Sequence, residues 1–102
     1  MIEPVCLMMI IPRPLRDELL DFISAQSDLI PGFTAFDAAG HGVTIRLRTP
    51  AEQVKGHADQ TMVQIVLPRL DAEQLIERTQ ASFAGTRLVY WVMPVLQFGA
   101  IE

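Results

Sequence analysis

Positive charge and flexible backbone meet in one stretch of this sequence. Between His41 and His57, its two histidines, lie Arg46, Arg48 and Lys55 against a single acid, Glu52. The chain as a whole is acidic, with a formal net charge of −4. A cationic segment on an acidic protein is the pattern of an anion site, for a phosphate, a nucleotide or an acidic partner surface. Gly40, Gly42 and Gly56 would let the backbone approach such an anion closely. The candidate ligand-binding residues are therefore Gly40, His41, Gly42, Arg46, Arg48, Lys55 and Gly56. The same residues also fit a solvated loop whose charges keep an assembly soluble, and both readings stand at the level of sequence.

His41 and His57 are the candidate metal ligands, with Asp37, Glu52 or Asp59 as completing groups. Their spacing matches no standard metal motif. A metal site would have to be built where several copies of the loop meet; exposed loop histidines are the alternative. Cys6 is the only cysteine, so no disulfide forms within the chain, and its apolar neighbours predict a buried thiol. Met8, Met9, Met62 and Met93 fall in predicted strands, where packing accounts for them better than copper binding. Tyr90 and Trp91 point to opposite faces of one strand. Trp91 is read as filling the core of an assembly rather than stacking on a ligand. No nucleophile elbow, P-loop or Gly-x-Gly-x-x-Gly is present. Asp17 and Asp21 sit on a wet helix face. No catalytic residue is assigned, and the protein is read as non-enzymatic, requiring no cofactor, with a nucleotide or a divalent metal as the effectors to consider.

The elements that would position the loop can be read from apolar spacing. Val5 to Ile11 is apolar at every position, the mark of a strand buried on both faces. Pro12 and Pro14 end it, and Leu15, Leu19, Phe22 and Ile23 then form the stripe of a helix. Pro31-Gly32 marks a turn. Gly32 to Ala38 reads as a strand, and Val43 to Arg48 as an extended, half-exposed segment. Thr49, Pro50 and Glu52 occupy the N-cap, N1 and N3 positions of a capping box, with Gly56 as the stop: a single helical turn inside the loop. Gln60 to Leu67 is a strand with Val63, Ile65 and Leu67 on one face. Asp71 and Gln74 look like a capping box opening a second long helix, with Ala72, Leu75, Ile76, Thr79 and Phe83 inward and Gly85 at its end. Leu88 to Met93 is a strand, and Val95 to Phe98 can add a short extra C-terminal strand.

The order strand, helix, strand, loop, strand, helix, strand is the α+β ferredoxin-like βαββαβ sandwich. It makes residues 1–102 a single domain, with residues 39–60 as the loop between strands two and three. Two helices can cover only one face of a four-stranded antiparallel sheet. The first and last strands are nevertheless apolar on both faces. Half of the residues are hydrophobic and the mean hydropathy is +0.29. An uncovered apolar sheet face marks an interface, so an oligomer is expected. The pI near 5.0 argues against nucleic acid as a partner. The start lacks the basic n-region of a signal peptide, and the longest apolar runs are too short to cross a bilayer. The expectation is a soluble cytoplasmic protein that does not insert into membranes.

This pattern resembles a family. The element order, the loop beginning Gly40-His41-Gly42, the strand Met62 to Leu67 and the ending Tyr90-Trp91-Val92-Met93-Pro94-Val95 are similar to nitrogen regulatory PII signalling proteins. Ala51-Glu52-Gln53-Val54-x-Gly56 and Tyr90 to Leu96 with Gly99 resemble an uncharacterised bacterial PII-like branch that often accompanies heavy-metal efflux systems. The resemblance implies a non-catalytic homotrimer for signal transduction. It would bind small effectors such as adenine nucleotides between subunits. Its loop would touch a partner protein such as a membrane transporter. It also raises a metal-linked alternative, an accessory or sensor protein of metal efflux. The loop is shorter than a PII T-loop and lacks its modified tyrosine, and Val43 follows Gly42 where the resemblance expects Arg.

Overall fold

The computed structural model describes residues 1–102. Strand β1 runs Pro4–Pro12, and a turn of 3-10 helix over Arg13–Leu15 leads into helix α1, Arg16–Ser24. Strand β2 follows at Thr34–Gly40, helix α2 at Pro50–Lys55 and strand β3 at Ala58–Pro68. Helix α3 spans Arg69–Phe83 and strand β4 Val89–Pro94. The strands form one antiparallel sheet in the order β2-β3-β1-β4. This is the ferredoxin-like arrangement expected from the element order.

Register explains the two-sided apolar strands. Leu7 pairs with Ile65 and Val92, and Met9 with Val63 and Tyr90. Leu7, Met9 and Ile11 of β1, with Val63, Ile65 and Leu67 of β3, face the helices. They meet Leu19 and Ile23 of α1 and Ala72, Leu75 and Phe83 of α3 in one buried core. The alternate residues form the other face: Cys6, Met8 and Ile10 lie beside Val66, Met62, Met93, Trp91 and Val89. No helix covers that face. Trp91, Phe36 and Met93 remain 37%, 43% and 42% exposed there.

Four details differ from the sequence reading. β2 starts at Thr34 and continues to Gly40, because β3 begins at Ala58 and supplies pairing partners that far. The segment read as extended, Val43 to Arg48, opens with a turn at Val43 and Thr44, which Ile45 N–H closes on the Gly42 carbonyl at 3.2 Å, and residues 45–48 pair with no strand. α3 opens at Arg69 without a side-chain cap, so Asp71 lies inside its first turn and not at a capping box. The Glu3 carbonyl takes the Arg69 N–H instead, at 3.0 Å. Val95 to Phe98 forms no fifth strand; only Val95 N–H returns to the sheet, on the Pro4 carbonyl at 3.0 Å.

Candidate functional site

The segment joining β2 to β3 is organised by its own capping signals. The Thr49 hydroxyl accepts the Glu52 N–H at 3.1 Å, and the Glu52 carboxylate accepts the Thr49 N–H at 3.2 Å. Both halves of the capping box are therefore made. Gly56 ends α2 at φ 81°, a left-handed conformation that suits glycine. Glu52 does more than cap. Its carboxylate also accepts the N–H of Arg48 and, across the loop, of Asp59, each at 2.5 Å. The side chain is buried, only 3% exposed. These backbone donors, Asp59 and Arg48 foremost, hold its carboxyl below the usual range against the opposing effect of burial. One carboxylate thus ties the end of the loop's coil, the start of α2 and the start of β3 together.

The base of the loop is a second charge network. The Lys55 ammonium donates to both oxygens of Asp59 at 2.9 and 3.0 Å. That bond, with the nearby Arg13 and His57, keeps the Asp59 carboxyl low. Arg13 sits 3.7 Å from Asp59 and 3.6 Å from Asp37, and donates to the carbonyls of Ala38 and Gln60 at 3.3 Å. It clamps the ends of β2 and β3 together. Gly40 is buried beside them, and a Cβ there would lie 2.6 Å from the Gln60 side-chain oxygen. Glycine at this position lets the Gln60 amide lie flat across the strand end.

A cleft of about 310 Å³ opens next to this base. Arg46 and Arg48 line it from the loop, Gln60 from β3, Ile10 and Pro12 from β1, and Arg87 from the turn before β4. The charge balance singles the cleft out. The chain has eight basic side chains, and Arg13, Arg16, Lys55, Arg69 and Arg78 each lie against a carboxylate. Arg46, Arg48 and Arg87 have no acidic partner, and all of them line this one cleft. Glu52 and Asp59 also border it. Asp59 is paired with Lys55 and Arg13, while Glu52 keeps its charge and accepts only backbone N–H groups. The lining carries three arginines against two carboxylates, and what the cleft can do chemically is hold an anion.

The structure sorts the candidate residues. Arg46 and Arg48 reach the cleft; Gly40 underlies it through Gln60. Lys55 does not line the cleft and is paired with Asp59, and Gly56 shapes the end of α2. Gly42 opens the turn that closes at Ile45. The His41 and His57 rings face each other with centroids 5.4 Å apart. His57 Nδ1 is buried without a hydrogen-bond partner, 3.8 Å from Asp59. No group of three or more His, Cys, Asp or Glu side chains is placed to hold a metal ion. Sequence reading missed Arg87 and Gln60. Gln60 closes the loop but carries no charge to mark it, and Arg87 lies far from the loop in the chain; the pairing of Pro12 with Gln60 and of Ile10 with Val89 gathers both at one end of β1. The signal available was Gly85, which ends a helix two residues before an arginine.

Comparison with known proteins places this geometry among relatives. A family model described as a protein of unknown function, DUF3240, matches residues 1–102. The crystal structure of a DUF3240 family protein from Shewanella baltica superposes with a TM-score of 0.79 at 18% identity, covering 100% of both chains. CPII from Thiomonas intermedia, a nitrogen regulatory PII-like protein bound to ADP, AMP and bicarbonate, superposes at 0.69 and 18% identity, covering 96% of this chain and 97% of its own. A putative PII-like signalling protein from Thermus thermophilus gives 0.65 at 14% identity, over 92% of this chain and 88% of its own. No curated protein matches the sequence significantly. The structural likenesses establish a PII-like fold. No helix is long and apolar enough to cross a membrane.

Proposed function

We propose that this chain, which belongs to the DUF3240 family, is a non-enzymatic PII-like regulatory protein that binds a small anionic effector in the Arg46–Arg48–Arg87 cleft. One observation carries the reading: the only arginine or lysine side chains without a carboxylate partner all line that cleft. Charge-assisted hydrogen bonds from arginine suit phosphate and carboxylate oxygens. The effector class is a nucleoside phosphate or a small oxyanion, the ligands named for CPII.

The sheet supports an intersubunit location. Ile10 and Val89 line the cleft and belong to the uncovered sheet face. Assembly of a homotrimer through that face would put the cleft at a subunit boundary, where a neighbour completes it. The loop of residues 41–57 would then report occupancy to a cytoplasmic partner such as a membrane transporter. Calorimetric titration with ADP, AMP, ATP and bicarbonate tests the reading. Binding of at least one of them, weakened by Arg46→Gln, Arg48→Gln and Arg87→Gln alike, is the expected result. No heat with any of the four would remove it.

A second reading is a metal-binding accessory or sensor protein of a heavy-metal efflux system. The adjacent rings of His41 and His57 favour it. Two imidazoles on one ion at about 2.0–2.1 Å per bond hold their centroids about 5 Å apart. Zinc, copper or cobalt affinity lost in the double variant His41→Ala, His57→Ala supports this reading; unchanged affinity sinks it.

A further inference from the structure

β4 is an edge strand whose helix-facing side is thinly covered. α3 lies over β1 and β3. Tyr90 and Val92 therefore project past the helix layer and stay 41% and 40% exposed. The gap between the C-terminal end of α3 and β4 is a cleft of about 270 Å³. Its walls are Met9, Ile76, Phe83, Leu88 and Tyr90. Phe83 is held by edge-on packing against Phe22, with centroids 5.3 Å apart, so that wall is preformed. The volume falls just below the range of about 300–1,000 Å³ for drug-sized ligands, so the occupant is small.

The mouth of this cleft is charged. Arg87 lines it and has no carboxylate partner. Its backbone is left-handed at φ 63°, a conformation that non-glycine residues rarely adopt. The turn that holds it is fixed by Thr86, whose N–H and hydroxyl both donate to the Phe83 carbonyl, at 3.2 and 2.6 Å. Residues held in sparsely populated backbone regions cluster at ligand sites. An apolar cleft with one free guanidinium at its mouth complements a molecule that is apolar at one end and anionic at the other. Apolar burial contributes affinity in proportion to area, and the guanidinium recognises a carboxylate through two parallel hydrogen bonds. A neutral apolar ligand would leave the guanidinium without that partner.

We infer that this cleft is a second ligand site, on the opposite face of the sheet from the basic cleft, and that it takes a small monocarboxylic acid with an aliphatic or aromatic body. Arg87 lines both clefts. The two sites share one cation, so their ligands antagonise each other.

Octanoate is the probe and octan-1-ol its uncharged control, each titrated into the full chain and followed by NMR chemical shifts and calorimetry. Octanoate is expected to shift Ile76, Leu88 and Tyr90. It should bind at least about tenfold more tightly than octan-1-ol, the lower end for charge-assisted hydrogen bonding. Arg87→Gln should erase that advantage. Ala84→Trp, at the exposed rim, should block both probes. Equal affinity for the two probes, no shift at millimolar octanoate, or Ala84→Trp binding like the unmodified chain would each overturn the inference. So would a larger loss from Arg46→Gln than from Arg87→Gln, which would place octanoate in the basic cleft. If Ala84→Trp fails to fold, the shift map of the unmodified chain still decides.

Discussion

Glu52 is a buried carboxylate with no cation against it; all its hydrogen bonds come from backbone N–H groups of Arg48, Thr49 and Asp59. Its carboxyl titrates below the ordinary 4.5. The stabilisation it gives is thus fully present above that value and fades as pH falls through the lowered one. Relative to the intrinsic rate at each pH, amide exchange at Arg48 and Asp59 should be slow at neutral pH and accelerate on acidification. Glu52→Gln should speed it already at neutral pH and flatten its pH dependence, because an amide offers one acceptor oxygen where the carboxylate offers two. Exchange that keeps its acid dependence in Glu52→Gln would show that another group ties the loop. Gly40 makes a separate residue-scale case. Gly40→Ala must displace the Gln60 amide, and should weaken effector binding in the basic cleft without unfolding the sheet, read by calorimetry beside circular dichroism.

At the scale of elements, α2 is a helix of six residues, too short to persist by propensity alone. Its caps hold it. Thr49→Ala removes the side-chain acceptor and should cost about 0.5–2 kcal/mol of local stability. Because α2 sits in a surface loop, that loss should appear as local opening by hydrogen exchange, with the global melting temperature nearly unmoved. A large fall in melting temperature would mean that the loop supports the core. The contrast is Ile65 on β3, which is fully buried among α1, α3 and β1. Ile65→Ala should cost about 2–5 kcal/mol in a denaturant titration of the whole domain.

The whole molecule has one unresolved debt, the apolar face left by two helices on one side of four strands. Cys6 and Met8 on that face are already shielded within the chain; Trp91, Met93 and Phe36 are not. A single chain has no element left to cover them, and a homotrimer built through this face would. Trp91→Glu should then release monomers, as a buried charge without a partner opposes assembly. Sedimentation velocity reads the outcome. An unmodified chain that sediments as a monomer at micromolar concentration would overturn the trimer proposal.

The amino-acid sequence by itself determined the elements and their layers. Apolar runs, proline stops and the Thr49-Pro50-Glu52 cap are local signals, and local signals specify strands, helices and which side chains share a face. Its errors were local too: Asp71 read as part of a cap that the Glu3 carbonyl made unnecessary, and Val43 and Thr44 read as extended where a turn closes from Gly42 to Ile45. The loop arginines were also legible, because clustering of charge along the chain is visible without coordinates. Only the tertiary structure decided which cations were free. Lys55 looked equivalent to Arg46 and Arg48 until Asp59 was found against it. Arg87 looked unrelated until β1 paired with both β3 and β4. The physical reason is that an ion pair or a cleft is a property of distances in space, and antiparallel register brings together residues that chain order keeps apart.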